Sequence, residues 1–166
     1  MSTVNIYKIL SFILLPIGAL LGLICLIGLL VAIGNPSILL PLSLLICTVI
    51  YIISSFIFLQ NGLIGGRKCS TSLKDWIKVN AYVSLFFASM SVVQFITLIF
   101  HPTLLQQFID QSMAMQKSLP PDAAALMPKL LKGVMYFFLT FGVILMAHIA
   151  LSLNFLKQYT SMFDEN

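Results

Sequence analysis

The chain has 166 residues, 60% of them hydrophobic and 8% charged, with a mean hydropathy of +1.05. A soluble domain carries about 25% charged residues, and one of this size buries only about two-thirds of its chain surface. A soluble fold therefore cannot hide this much apolar surface, and lipid has to cover the rest. The net charge of +4 does not point to nucleic acid, because the nine basic residues are scattered at the edges of apolar runs instead of clustering on a face.

Four apolar runs of 22 to 25 residues follow one another: 9–33, 38–59, 77–100 and 133–156. About 20 residues at 1.5 Å rise cross the hydrocarbon layer, and the four runs contain a single Asp, Glu, Lys or Arg, Lys78, one residue in from the start of the third. Residues 9–33 are too many for a signal-peptide core and no small-residue cleavage site follows them, so the first run is expected to stay as a span. The sequence predicts an all-α integral membrane protein, one four-helix bundle over residues 1–166.

Between the first two runs, Gly34-Asn35-Pro36-Ser37 predicts a tight turn, which makes helices one and two antiparallel neighbours. Asn61-Gly62 and Gly65-Gly66 are expected to end helix two. Ser72-Leu73-Lys74-Asp75 reads as a capping box at the start of helix three, with Trp76 at interface depth. The stretch 101–132 is the longest outside the runs. Within it, residues 103–117 place Leu104, Leu105, Phe108, Ile109, Ser112 and Met113 at helical spacing, an amphipathic helix on the outer leaflet. Met113, Met115 and Met127 make that loop adaptable enough for a partner surface, although a lid over helix ends needs nothing more. Ser118-Leu119-Pro120-Pro121-Asp122 should break the amphipathic helix, and Pro128 should kink or restart the chain before helix four.

Few polar groups fall inside the runs, and each is costly there. Counted at 1.5 Å per residue, Gln94, Thr140 and Ser43 share one depth, and His148, Tyr51 and Ser84 another, the two layers about 10 Å apart. Tyr51 or Ser84 could satisfy the donor and acceptor of a neutral His148, and Pro16 frees the Phe12 carbonyl nearby. Gln94 is expected to bond Thr140 or Ser43 across helices. A proton relay or metal site at His148 is disfavoured, since no carboxylate or second histidine lies near it in sequence depth. Helix one carries Gly18 and Gly22 in a GxxxG, and Gly28 and Ala32 repeat the spacing; such faces admit close helix approach, either inside a bundle or between protomers. Gly142, Ala147 and Ala150 of helix four could receive them.

Site chemistry is sparse. Cys25, Cys47 and Cys69 form no CxxC; Cys69, beside Arg67 and Lys68, is either an inert loop thiol or one whose pKa its neighbours lower. Small multidrug antiporters use a membrane glutamate, and four-helix disulfide-generating quinone enzymes use paired outer-loop cysteines; this sequence has neither pattern. No H-E-x-x-H or G-x-S-x-G occurs. The expectation is a non-enzyme without cofactor or metal, in the lipid bilayer, acting by assembly as an accessory subunit or homo-oligomer with a membrane-protein partner and no nucleic acid. The alternative is a channel or transporter for uncharged or lipidic solutes. The layout, with its basic second loop and Phe155-Leu156-Lys157-Gln158-Tyr159 exit, resembles many small bacterial tetraspan proteins.

Six basic residues (Lys8, Arg67, Lys68, Lys74, Lys78, Lys157) fall on the side of the N-terminus, and three (Lys117, Lys129, Lys132) on the other. The positive-inside rule then puts both termini in the cytoplasm of a multi-pass plasma-membrane protein, in a bacterium the inner membrane. Reporter fusions after Gly34 and within 112–120 should read outside, and fusions after Lys68 and at Asn166 inside. An outside reading at Lys68 overturns the arrangement.

Overall fold

The computed structural model describes residues 3–114 and 121–163, and is all-helical over them. Helix α1 runs Thr3–Ala32, α2 Leu39–Phe58, α3 Thr71–Phe100, α4 Pro102–Ala114 and α5 Pro121–Gln158. Four helical stretches are long and apolar enough to cross a membrane: Thr3–Ala32, Pro36–Ile64, Thr71–Phe100 and Leu126–Gln158. Each overshoots the apolar run that announced it, because a helix continues into polar sequence until its backbone groups find caps.

The ends of the helices show which residues supply those caps. Asn35, extended as a residue before proline must be, takes the Ser37 hydroxyl at 2.6 Å and the Ser37 N–H at 3.3 Å, and a 3-10 turn over Pro36–Ile38 leads into α2. Asn61-Gly62 does not end helix two. A π-helical turn, Leu59–Ile64, carries it on. The turn closes with the Gly65 N–H on the Gln60 carbonyl at 3.0 Å, and the chain leaves through Gly66 at φ +60°, where a side chain would be strained. The cap of helix α3 lies two residues before the expected one: the Ser70 hydroxyl, not that of Ser72, accepts the Leu73 N–H at 3.2 Å. Helix α5 neither breaks nor restarts at Pro128; it is continuous from Pro121. Proline at a helix start needs no N–H partner, so Pro121 opens α5 well before the apolar run begins. The expected break at 118–120 lies outside the described residues.

The chain forms two compact units, residues 1–87 with 144–166, and residues 88–143. In the first, buried positions follow a 3-4 spacing on every helix: Tyr7, Ser11, Leu14, Gly18, Leu21 and Cys25 on α1, Thr48, Tyr51, Ser55 and Phe58 on α2. That is the pattern of knobs packed into holes along a seam. The small residues of α1 face α2. A Cβ on Gly18 would meet Ile52 at 2.9 Å and one on Gly28 would meet Leu42 at 2.8 Å, whereas at Gly22 the nearest atom, on Val49, is an ordinary 3.6 Å away. Ala32 is buried with Cys25 and Leu42 at the hairpin end. The GxxxG therefore serves α1–α2 packing, and helix four does not receive it: Ala147 and Ala150 are exposed. At the opposite end Phe163, from the 3-10 turn Thr160–Phe163, is buried against Phe58 with ring centroids 5.3 Å apart. Lys74 lies over its face at 5.4 Å, and the Cys69 N–H donates to the Met162 carbonyl at 2.9 Å.

The second unit holds the remaining part of α3, all of α4 and the first part of α5. Its core includes Ala88, Ile109, Met135 and Phe141. Gly142 lets α5 approach α3, since a Cβ there would meet Val92 at 2.8 Å. Helix α4 falls on the stretch expected to be an amphipathic helix, but Leu104 and Phe108 of the expected apolar face are exposed. Ile109 is buried and Leu105, Ser112 and Met113 are half-buried, while Gln106 and Asp110 bond each other on the exposed side at 2.9 Å.

Overpacking a tight helix crossing costs about 1–3 kcal/mol. Gly18→Leu and Gly28→Leu should therefore lower the thermal midpoint in detergent, while Gly22→Ala should leave it unchanged. Equal effects at the three positions would show that the α1–α2 approach is not what these glycines provide.

Candidate functional site

The polar groups that meet inside the first unit come from three helices. His148 on α5 is 1% exposed, and its two ring nitrogens have separate partners. Tyr51 Oη of α2 lies 2.7 Å from Nδ1, and Ser11 Oγ of α1 lies 2.8 Å from Nε2. The bonding fixes where the protons sit. Ser11 spends its single hydroxyl proton on the Tyr7 carbonyl at 2.8 Å, so toward the imidazole it can only accept. Nε2 therefore carries the hydrogen, and Nδ1 accepts from the Tyr51 hydroxyl. A single directed chain results, from the Tyr51 O–H through the neutral imidazole and Ser11 to the backbone of Tyr7.

Tyr7 closes the cluster by stacking. Its ring lies 4.6 Å from the His148 ring and nearly parallel to it, at 10°. Its hydroxyl points to the Ser55 carbonyl and to Ser152 Oγ, both at 3.3 Å, so one proton is shared between α2 and α5. Phe155 meets the other side of Tyr7 edge-on at 5.2 Å. Tyr7, Tyr51 and Ser152 are 0% exposed and Ser11 is 3% exposed. Among the described residues no buried side-chain nitrogen or oxygen lacks a partner.

Of the expected partners of His148, Tyr51 is one and Ser84 is not. Ser84 is buried but donates to the Asn80 carbonyl of its own helix at 2.6 Å. The group from helix one is the Ser11 hydroxyl, not the Phe12 carbonyl freed by Pro16. The outer layer does not form either. Thr140 donates to the Tyr136 carbonyl at 2.9 Å and Ser43 to the Leu40 carbonyl at 2.7 Å, each within its own helix. Thr140, Ser43 and Gln94 are all exposed. A hydroxyl one turn from a carbonyl can satisfy itself locally, which a glutamine amide on a straight helix does not do.

Sequence reading missed Tyr7, Ser11, Ser55 and Ser152. Tyr7 falls outside the apolar run 9–33, and single serines in a span carry no signal alone. The signal was the seam: Tyr7 and Ser11 continue the 3-4 spacing of Leu14, Gly18 and Leu21, and Ser152 lies one turn beyond His148. All three cysteines are free thiols. Cys69 is half-buried, and its burial pushes the thiol pKa up, so the neighbouring Arg67 and Lys68 do not activate it. An open groove of about 520 Å³ beside the first turns of α3 is lined by Thr71, Ser72, Asp75, Trp76, Val79 and Asn80, none of them in the His148 cluster. Among the described residues no three His, Cys, Asp or Glu side chains gather as a metal site would require. Compared with known protein families, curated proteins and solved structures, the chain matches none.

An interhelical hydrogen bond in a membrane protein contributes about 0.6 kcal/mol on average and at most about 1.7 kcal/mol. A double-mutant cycle of Tyr51→Phe and His148→Leu should give a coupling in that range, read from reversible unfolding in bicelles. Effects that simply add, to within about 0.3 kcal/mol, would mean the two side chains do not depend on each other.

Proposed function

We propose that this chain is a small tetraspan membrane protein that acts by helix packing and assembly, as an accessory subunit or a homo-oligomer, and carries out no reaction itself. The observation that carries this reading is the condition of the His148 cluster. A proton relay or a ligand site keeps at least one donor or acceptor available to a moving partner, and reaches water or substrate. Here both imidazole nitrogens are already bonded inside the protein, and the side chains around them are almost fully enclosed. Such an arrangement fixes three helices at one register. It leaves the outside of the bundle as the part that meets other molecules.

The polar residues also fit packing better than conduction. A lumen for uncharged solutes would gather Tyr51, Ser84, Gln94, Thr140 and His148 along one wet path. Instead Tyr51 bonds His148, Ser84 and Thr140 bond their own helices, and Gln94 is exposed. The charge bias of the loops supports insertion into the plasma membrane with both termini in the cytoplasm.

Two measurements on the full chain test the reading. Extracted from membranes in polymer-bounded discs without detergent, it should run as a particle larger than one chain. Reconstituted in liposomes, it should leave the uptake of glycerol and urea at the rate of protein-free vesicles. Saturable, protein-dependent uptake would overturn the assembly reading in favour of a channel or transporter.

A further inference from the structure

Gln94 is the amide set deepest in the apolar runs, six residues before the end of α3, or about 9 Å along the helix. It is exposed, and none of the hydrogen bonds among the described residues involves its side chain. Side chains on a helix lean toward its N-terminus, so the amide is directed toward the middle of the span and away from the nearer membrane surface. A carboxamide in that position, facing lipid, leaves two donors and an acceptor unpaired in hydrocarbon. Gly18, Gly28 and Gly142 are already used in close packing inside the chain, and so is the histidine cluster. Among the described residues Gln94 is the deepest-set amide of the apolar runs left without a partner.

Around it, α3 presents a seam of large side chains in the second unit. Met90 is 59% exposed, Val93 62% and Phe100 77%, with exposed Thr97 between them. The spacing 90, 93, 97, 100 is the alternating three and four of a helix that packs along another helix, and Gln94 borders it. Thr97 has its hydroxyl on the Val93 carbonyl at 2.8 Å, so its methyl group is what it offers to a neighbour.

We propose that this face of α3 is a homodimer interface, in which α3 packs parallel to α3 of a second copy and the two Gln94 amides bond each other. The argument for a second copy is geometric. Copies inserted in the same orientation are related by a two-fold axis along the membrane normal, which places any residue opposite itself at the same depth. A carboxamide is its own complement, each side chain giving an N–H and accepting one, so a reciprocal pair at that axis satisfies the carbonyl and one of the two N–H groups of each. This inference rests on the assembly reading above and names the surface.

The test uses the full-length chain in lipid vesicles at decreasing protein density. Single cysteines at Val93→Cys and Thr97→Cys, with Cys25, Cys47 and Cys69 replaced by alanine, should form oxidative cross-links between copies. Ile24→Cys on exposed α1 should not. Gln94→Leu should weaken self-association by about 3- to 20-fold, the range that interhelical hydrogen bonds in lipid account for. Because Gln94 is exposed, the variant should keep the thermal midpoint of the single chain, so lost association will not be mistaken for lost folding. A chain that stays monomeric at every density overturns the second copy as occupant. Association that is unchanged by Gln94→Leu, with no cross-link at 93 or 97, overturns this interface while leaving the assembly reading intact.

Discussion

In hydrocarbon a polar group has no water to return to, and the rest of this structure depends on how one such group, the imidazole of His148, is satisfied. Two nitrogens with fixed directions need two partners at fixed places. Tyr51 and Ser11 supply them from α2 and α1, so three helices are held at one level by one ring. Tyr7 adds a stacked ring and a shared proton that reach α2 and α5 again. Apolar seams alone can slide by a turn at little cost. A buried ring with both edges bonded cannot, and it sets the register of the surrounding Leu, Ile and Phe side chains.

Shape does the rest. In lipid there is little hydrophobic gain from bringing two apolar helices together, so close contact has to come from small residues facing large ones. Gly18 against Ile52 and Gly28 against Leu42 do this for α1 and α2, and Gly142 against Val92 does it for α5 and α3 in the second unit. Phe163 closes the end of the first unit by returning the chain onto Phe58. Covering polar groups inside and matching small to large between helices leaves the outer faces free for partners. This is the ground on which assembly is proposed as the role.

Much of this was legible in the residues. Four runs with one charge between them, Lys78 at an end, give four long apolar helices because nothing else satisfies a backbone in lipid. The Asn35-Pro36 turn and the Gly65-Gly66 exit were visible because proline fixes its own φ and glycine reaches the left-handed region that other residues avoid. Depth alone offered Tyr51 and Ser84 as partners of His148, and Tyr51 is the one that bonds it. The errors have physical causes. Ser70 and Ser72 are equally good caps, and only the path of the loop decides between them. Pro128 lies inside α5, which runs through it without the expected restart, since a proline removes one helical hydrogen bond and need not end the helix. Depth counting also assumed that every polar group seeks another helix, but Ser43, Ser84 and Thr140 reach their own carbonyls one turn back. Tyr7 was out of reach because hydropathy ends a span where charge begins, and the packing seam continues past that point.

The central claim is that His148 is a neutral, doubly bonded structural hinge pin with its protons ordered by Ser11 and Tyr51. Nitrogen-15 NMR of the imidazole, in the full chain reconstituted in lipid, reads that order directly. The account requires one protonated nitrogen, Nε2, and an unprotonated Nδ1 that accepts a hydrogen bond, with the Nδ1 signal shifted when Tyr51 is replaced by Phe. A ring protonated on Nδ1, a doubly protonated ring, or a mixture of tautomers exchanging with water would contradict it.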